Sequence, residues 1–301
     1  MAMWNRREVL WSSVALLGAS GAVTATAPQP QDPAGKPVVR ARDVSEHLRR
    51  LGAAWVDAQK TVDTFKCGDP ETPIRGIAVG WMPYTWALMR AVELGCNLFV
   101  THEPVFYDHL DRDRDVFALG GAERKRALIE REGLVIFRCH DVWDQFPGTG
   151  IVDAWAKVLG FSEPLAGQGY YRVFAGGGRT ALSIARDVAR RTRRFGQEAV
   201  QLVGPADRPV HRVALGCGAI TPFRRFVASY EADLAICTDD GFVQWRDGAL
   251  AIDLEIPAIV VNHPVSEEEG IRLLAEHLRG AFPSVKIAHI PERCMYRLVS
   301  G

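Results

Sequence analysis

The stretch Val100-Thr101-His102-Glu103-Pro104 constrains this chain more than any other. It follows Cys96-Asn97-Leu98-Phe99, and the apolar run has strand length with a β-branched end at Val100. Pro104 lacks a backbone N–H and cannot continue a central strand. A buried strand therefore ends by presenting an imidazole and a carboxylate side by side. In open α/β sheets, ligands collect at such carboxyl ends. Taken alone, the stretch reads equally well as a surface turn, and two later strand ends decide the matter.

The apolar run Leu134-Val135-Ile136-Phe137 leads to His140 and, four residues on, Asp144. The run Ile259-Val260-Val261 leads to His263 and, four residues on, Glu267. If the intervening residues turn helically, each histidine shares a face with its carboxylate. Three strand ends with His/carboxylate pairs favour a metal site. Imidazoles and carboxylates suit zinc, iron, manganese or cobalt, with no need for thiolates. Asp144 and Glu267 each carry two oxygens and can bridge two cations. Two such ions activate water near neutral pH and polarise an acceptor oxygen. Glu103 and His140 are the candidate proton-transfer groups, and His140 reads equally as an orienting partner. Ser266-x-x-Glu269 is expected to be a capping box that opens the following helix, which leaves Glu267 free to ligate. His109, His211, His277 and His289 have no partner at ligand spacing and are set aside.

The rest of the chain frames this constellation. Its 301 residues allow about two domains of ordinary size. Lys plus Arg and Asp plus Glu both number 36, so charge gives no case for nucleic acid as a partner. The arginines at 186, 190, 191, 193 and 194 read as a solvated helix face. Six widely spaced cysteines without a CxxC pair exclude a zinc ribbon and a disulfide scaffold. Residues 1–27 carry Arg6-Arg7, a short apolar middle and Ala25-Thr26-Ala27, the pattern of a twin-arginine signal peptide. Export to the periplasm is therefore expected, with no membrane association after signal removal. A disordered linker is expected over 28–37.

Strands and helices alternate from Val38. Ile74 to Val79 is read as a strand, and Pro83 as the start of a helix with Trp86, Leu88, Met89 and Val92 on its apolar face. This strand-helix-strand order predicts a parallel sheet. Glycines at 167, 169 and 176–178 mark a change of texture near 161. The fold class expected is α/β, with two α/β lobes over 38–160 and 161–301, mixed and mainly parallel sheets, and the metal site between the lobes. Gly216-Cys217-Gly218 is a weak phosphate-loop signal. Glu231 to Asp240 loosely echoes Glu93 to Glu103, which hints at a duplicated lobe.

From Val38 onward the sequence resembles the Nif-three-like family, also called GTP cyclohydrolase 1 type 2. The likeness rests on Thr101-His102-Glu103-Pro104-Val105-Phe106, on His140-x-x-x-Asp144 and on His263-x-x-x-Glu267-x-x-Gly270, in that order. It implies a dinuclear centre of two divalent ions held by His102, Asp144, His263 and Glu267. Glu103 stands where the family usually has a second histidine; a carboxylate can still ligate there, with a different metal preference. The resemblance also implies self-association, often as a toroidal hexamer. The function expected is a dinuclear metal-dependent hydrolase that uses a metal-activated water on a small-molecule substrate. Ring opening of a purine nucleotide is one candidate reaction, and cleavage of another amide, amidine or phosphoester is an equal one. The alternative is a non-enzymatic metal-binding or assembly protein of the same fold.

Overall fold

Two five-stranded mixed sheets organise the described residues. The structure, a computed structural model, describes residues 38–299 and Gly301, so the expected signal peptide (1–27) and linker (28–37) lie outside the described residues. The first half comprises α1 (Ala41–Gly52), β1 (Phe65–Cys67), β2 (Gly76–Gly80), α2 (Thr85–Glu93), β3 (Leu98–Thr101), α3 (Arg114–Phe117), α4 (Gly121–Arg131), β4 (Val135–Arg138), α5 (Asp141–Asp144) and α6 (Ile151–Val158). The second comprises β5 (Tyr171–Thr180), α7 (Ala181–Thr192), β6 (Gln201–Val203), β7 (Pro209–Gly216), α8 (Phe223–Tyr230), β8 (Leu234–Thr238), α9 (Ala249–Asp253), β9 (Ala258–Val261), α10 (His263–Ala281) and β10 (Lys286–Ile290).

The first sheet runs β1-β4-β3-β2-β10 and the second β5-β7-β8-β9-β6. In each, the central strands are parallel, and the antiparallel partners β1, β5 and β6 lie at edges. Parallel strands are covered on both faces, so they need continuous apolar runs. β2, β3, β4, β8 and β9 are accordingly buried at every position. The two segments that echo each other in sequence supply β3 and β8, the middle strands of the two sheets. β10 leaves the second half of the chain and pairs with β2, so Val39–Gly301 forms one compact unit.

Two helices differ from expectation. α2 starts at Thr85, and its inner face is Ala87, Leu88 and Ala91, while Trp86 and Met89 are half exposed. Small residues allow α2 close to the sheet, and the larger side chains turn outward. α10 starts at His263 with Asn262 as its N-cap. Ser266 and Glu269 therefore sit inside the helix and form no capping box. The Ser266 hydroxyl donates back to the His263 carbonyl at 2.7 Å, and Glu269 pairs with Arg272. Placing the helix start directly after β9 aims His263 and Glu267 from its first turns.

α10 is anchored by Ile271, Leu274 and Leu278, all buried. Each contributes about 1.5–3 kcal/mol relative to exposure. Its approach to α6 requires Gly270, because a Cβ there would lie 2.9 Å from the Ile151 Cα. Trp143 Nε1 donates to the Gly270 carbonyl at 2.7 Å and ties α5 to the same helix. The arginines from 186 to 194 are exposed along and just beyond α7, as expected. Among the described residues, no helix is long and apolar enough to cross a membrane.

Candidate metal centre

The three His/carboxylate pairs converge. β3 ends at Thr101, and the amides of His102 and Glu103 both donate to the Trp81 carbonyl, at 3.1 and 2.7 Å. This tight turn after β2 and β3 points both side chains beyond the strand ends. Asp63 organises the end of β4: its carboxylate accepts the backbone N–H groups of His140, Asp141 and Val142 at 2.7–2.9 Å. The resulting α5 turn brings His140 Nδ1 to 3.2 Å from Asp144 Oδ2. On α10, His263 Nε2 is 3.1 Å from Glu267 Oε1.

Glu267 lies at the middle. Its Oε2 is 3.5 Å from His102 Nε2 and accepts from Trp81 Nε1 at 2.6 Å. Its Oε1 faces His263. Asp144 Oδ1 adds a second carboxylate at 3.3 Å from His102 Nε2, and Glu103 Oε1 lies 3.3 Å from His263 Nε2. The cluster thus has one end built on His102 and Asp144 and another on His263 and Glu103, with Glu267 reaching both.

The nitrogen atoms are prepared for a cation. His102 Nδ1 lies 3.2 Å from the Cys139 carbonyl, which can only accept, so one proton belongs there and Nε2 is the nitrogen turned to the cluster. His263 Nδ1 is held by Asp240 at 2.8 Å, an arrangement typical of a ligating imidazole. His102 Nε2 and His263 Nε2 are buried and have no hydrogen-bond partner. A buried unpartnered nitrogen is costly unless something else satisfies it. The donor set of imidazoles and carboxylates fits a divalent ion. Candidate ligand groups within 4.8 Å of one another include His102, His140 and Asp144; His102, Glu103 and Glu267; and Asp144, Cys217 and Glu267.

Charge points the same way. Burial opposes protonation of His102, but Asp144 and Glu267 overcome it and raise its pKa. Burial likewise opposes charge on His263, while Glu267, Asp240 and Glu103 hold it well above the usual value. His140 is raised to about 10 by Asp144 and Asp141 against the effect of burial. Glu103 is held below the usual carboxylate range: burial raises it, but the facing His263 and the nearby imidazoles prevail. The field that charges buried imidazoles is also the field that attracts a divalent cation.

A cavity of about 460 Å3 opens onto the cluster, lined in part by Trp81, Tyr107, His109, His140, Tyr170 and Ile220. A larger cavity of about 760 Å3 borders Asp239 and Asn262 and contains none of the cluster's side chains. His109, set aside at the sequence level, stands edge-on to His140, with ring centroids 5.6 Å apart. Arg138 is wholly buried below the site. It donates to the carbonyls of His102 and His109 and to Glu103 Oε2, at 2.9, 2.6 and 3.2 Å. Trp81, Asp240 and Cys217 each come just after a strand, so the strand-end rule applied to β2, β8 and β7 would have found them. Arg138 and Asp63 carry no such signal.

The weak phosphate reading of Gly216-Cys217-Gly218 is displaced. α8 does not begin until Phe223, and a Cβ at Gly218 would lie 3.0 Å from Glu267 Oε1. This glycine, at φ +65°, gives the carboxylate and His263 room. Burial, then the Asp144 and Glu267 charges, holds the Cys217 thiol well above its ordinary range.

Fold and site define a mixed α/β protein with a buried histidine–carboxylate cluster suited to metal. The chain belongs to the Duf34/NIF3 (NGG1p interacting factor 3) family, whose model matches residues 39–294. Among solved structures it resembles the Staphylococcus aureus hypothetical protein SA1388 at 14% identity and TM-score 0.71, covering 86% of this chain and 99% of that one. It resembles a Bacillus cereus protein related to NIF3 at 11% identity and TM-score 0.70, covering 88% and 99%. Reduced HcgD from Methanocaldococcus jannaschii matches at 17% identity and TM-score 0.65, covering 83% and 97%. At these identities the likeness concerns the fold. No curated protein matches the sequence.

Proposed function

We propose that the protein is a hydrolase that uses two divalent metal ions on a small-molecule substrate. One observation carries the reading: the two oxygens of buried Glu267 face two different unpartnered imidazole nitrogens, His102 Nε2 and His263 Nε2. Residues 102, 103, 144, 263 and 267 would hold the ions. When bound, such a pair of ions lowers the pKa of water and polarises an acceptor oxygen of the substrate. The chain's own groups supply the rest. Asp144 and Asp141 fix His140 through Nδ1, which leaves Nε2 as the proton-transfer atom beside the cavity. Glu103 is pinned between Arg138 and His263, which favours holding over proton transfer. Tyr107, Tyr170 and Ile220 give the substrate apolar surface.

A second reading, a metal-binding or assembly protein without catalysis, is supported by the candidate residues coming from the strand ends of both sheets. Metal binding would then fasten the two sheets together. The cavity beside the cluster favours the enzyme. The family resemblance supports self-association, and Arg6-Arg7 supports export to the periplasm. The test is to load metal-free protein with zinc, manganese or cobalt and screen amide, cyclic amidine and phosphoester substrates. The enzyme reading expects turnover only with metal. Full loading with no turnover across these classes would favour the assembly reading.

A further inference from the structure

The turn Gly216-Cys217-Gly218 is built more rigidly than a connection between β7 and α8 requires. A Cβ on Gly216 would lie 2.9 Å from Thr221 Cγ2 and 3.2 Å from the Tyr170 carbonyl. A Cβ on Gly218 would crowd Glu267 Oε1 and His263 Nε2, at 3.0 and 3.4 Å. Thr238 Oγ1 donates to the Gly218 carbonyl at 2.5 Å. Cys217 is the one side chain between the two glycines. It is buried, yet it lines the cavity at the cluster, and its sulfur lies within 4.8 Å of oxygens of both Asp144 and Glu267. Those two carboxylates also face the unpartnered His102 Nε2. The sulfur and the two carboxylates therefore form one candidate ligand group, and the same carboxylates face His102.

We infer that Cys217 is a further metal ligand, joining Asp144 and Glu267 around one ion of the centre. This rests on the metal reading above. On binding, a sulfur–metal bond forms and the S–H bond breaks, with the proton leaving to water. A thiolate makes that end softer than the other, which is built from His263, Glu103 and Glu267. The two ends should then differ in preference: zinc or cobalt at the Cys217 end, and manganese tolerated better at the other.

The test uses the whole folded protein. Cobalt-loaded wild type should show a near-ultraviolet sulfur-to-cobalt charge-transfer band, and Cys217→Ser should lose it while still binding cobalt. Zinc affinity of Cys217→Ser should fall on the order of ten- to a hundredfold, at least the scale of losing a supporting partner in a metal site. X-ray absorption of the zinc-loaded wild type needs no variant and should show a sulfur neighbour at about 2.3 Å. Cobalt bound without the band, or zinc bound without a sulfur neighbour, overturns the Cys217 assignment and leaves the metal reading standing. A band that persists in Cys217→Ser overturns it as well. If the wild type binds neither metal, the underlying reading fails and takes this inference with it.

Discussion

Replacing Glu267 by Gln keeps side-chain size and removes one buried charge. Glu267 is 1% exposed, and its oxygens meet His102 Nε2, His263 Nε2 and Trp81 Nε1. The amide cannot accept at both ends, so one imidazole faces an NH2 group in place of an oxygen. Removing one partner of a buried charge pair costs about 3–5 kcal/mol. At 1.4 kcal/mol per tenfold, that is roughly two to three and a half decades in affinity. Because the carboxylate reaches both ends, Glu267→Gln should drop bound metal from about two ions per chain to one or none. Glu269→Gln is the control. Glu269 sits two residues on, pairs with Arg272 and Arg194, and faces away from the cluster. It should keep full metal content and lose about 0.2–1 kcal/mol of stability, the range of an exposed ion pair. The assay is plasma mass spectrometry after dialysis against buffered zinc, with thermal unfolding alongside. A Glu267→Gln protein that is folded and still holds two ions at wild-type affinity would refute the bridging argument.

Trp81→Phe removes the donor to Glu267 Oε2 together with part of a buried ring, and titration with a metal indicator should show affinity lowered by about 10–100-fold. His140→Gln should keep its metal and lose about 10²–10⁴ in turnover on any substrate found, with loss of metal pointing to a ligand role for His140. His47 and His277 face each other at 2.9 Å between α1 and α10, and burial lowers both pKa values, helped at His47 by His277. A lowered pKa means stability is full above the unfolded value of 6.5 and falls as pH drops through the folded values. Denaturation midpoints should therefore decline from pH 7 to 5, with a shallower slope in the His47→Gln/His277→Gln protein; an equal slope would contradict the assignment.

The parallel core was legible because β2, β3, β4, β8 and β9 are continuous apolar runs, a pattern that buried parallel strands impose. The site was legible for the same reason, since its side chains sit directly past the carboxyl ends of those strands. The i, i+4 spacing of His140 with Asp144 and of His263 with Glu267 survived into geometry because both segments do turn helically. Contacts that depend on distant pairing were not legible. Asp63 lies 77 residues before His140, yet it caps the turn that aims it. Arg138 sits on the strand paired with β3, and only the register of Arg138 beside Thr101 reveals it as the partner of Glu103. β10 joins the first sheet from the far end of the chain, where no local pattern announces the pairing. The sequence pattern puts the start of α10 too late, because Ser266-x-x-Glu269 satisfies the capping rule while Asn262 and His263, bonded to Asp239, already begin the helix.

The most direct test of the metal centre is anomalous diffraction from crystals of the zinc-loaded protein. A dinuclear site bridged by Glu267 predicts two peaks about 3.5–4 Å apart. One lies against His102 and Asp144, the other against His263 and Glu103, and Glu267 touches both. A single peak, or peaks elsewhere with His102 Nε2 and His263 Nε2 left bare, would contradict it.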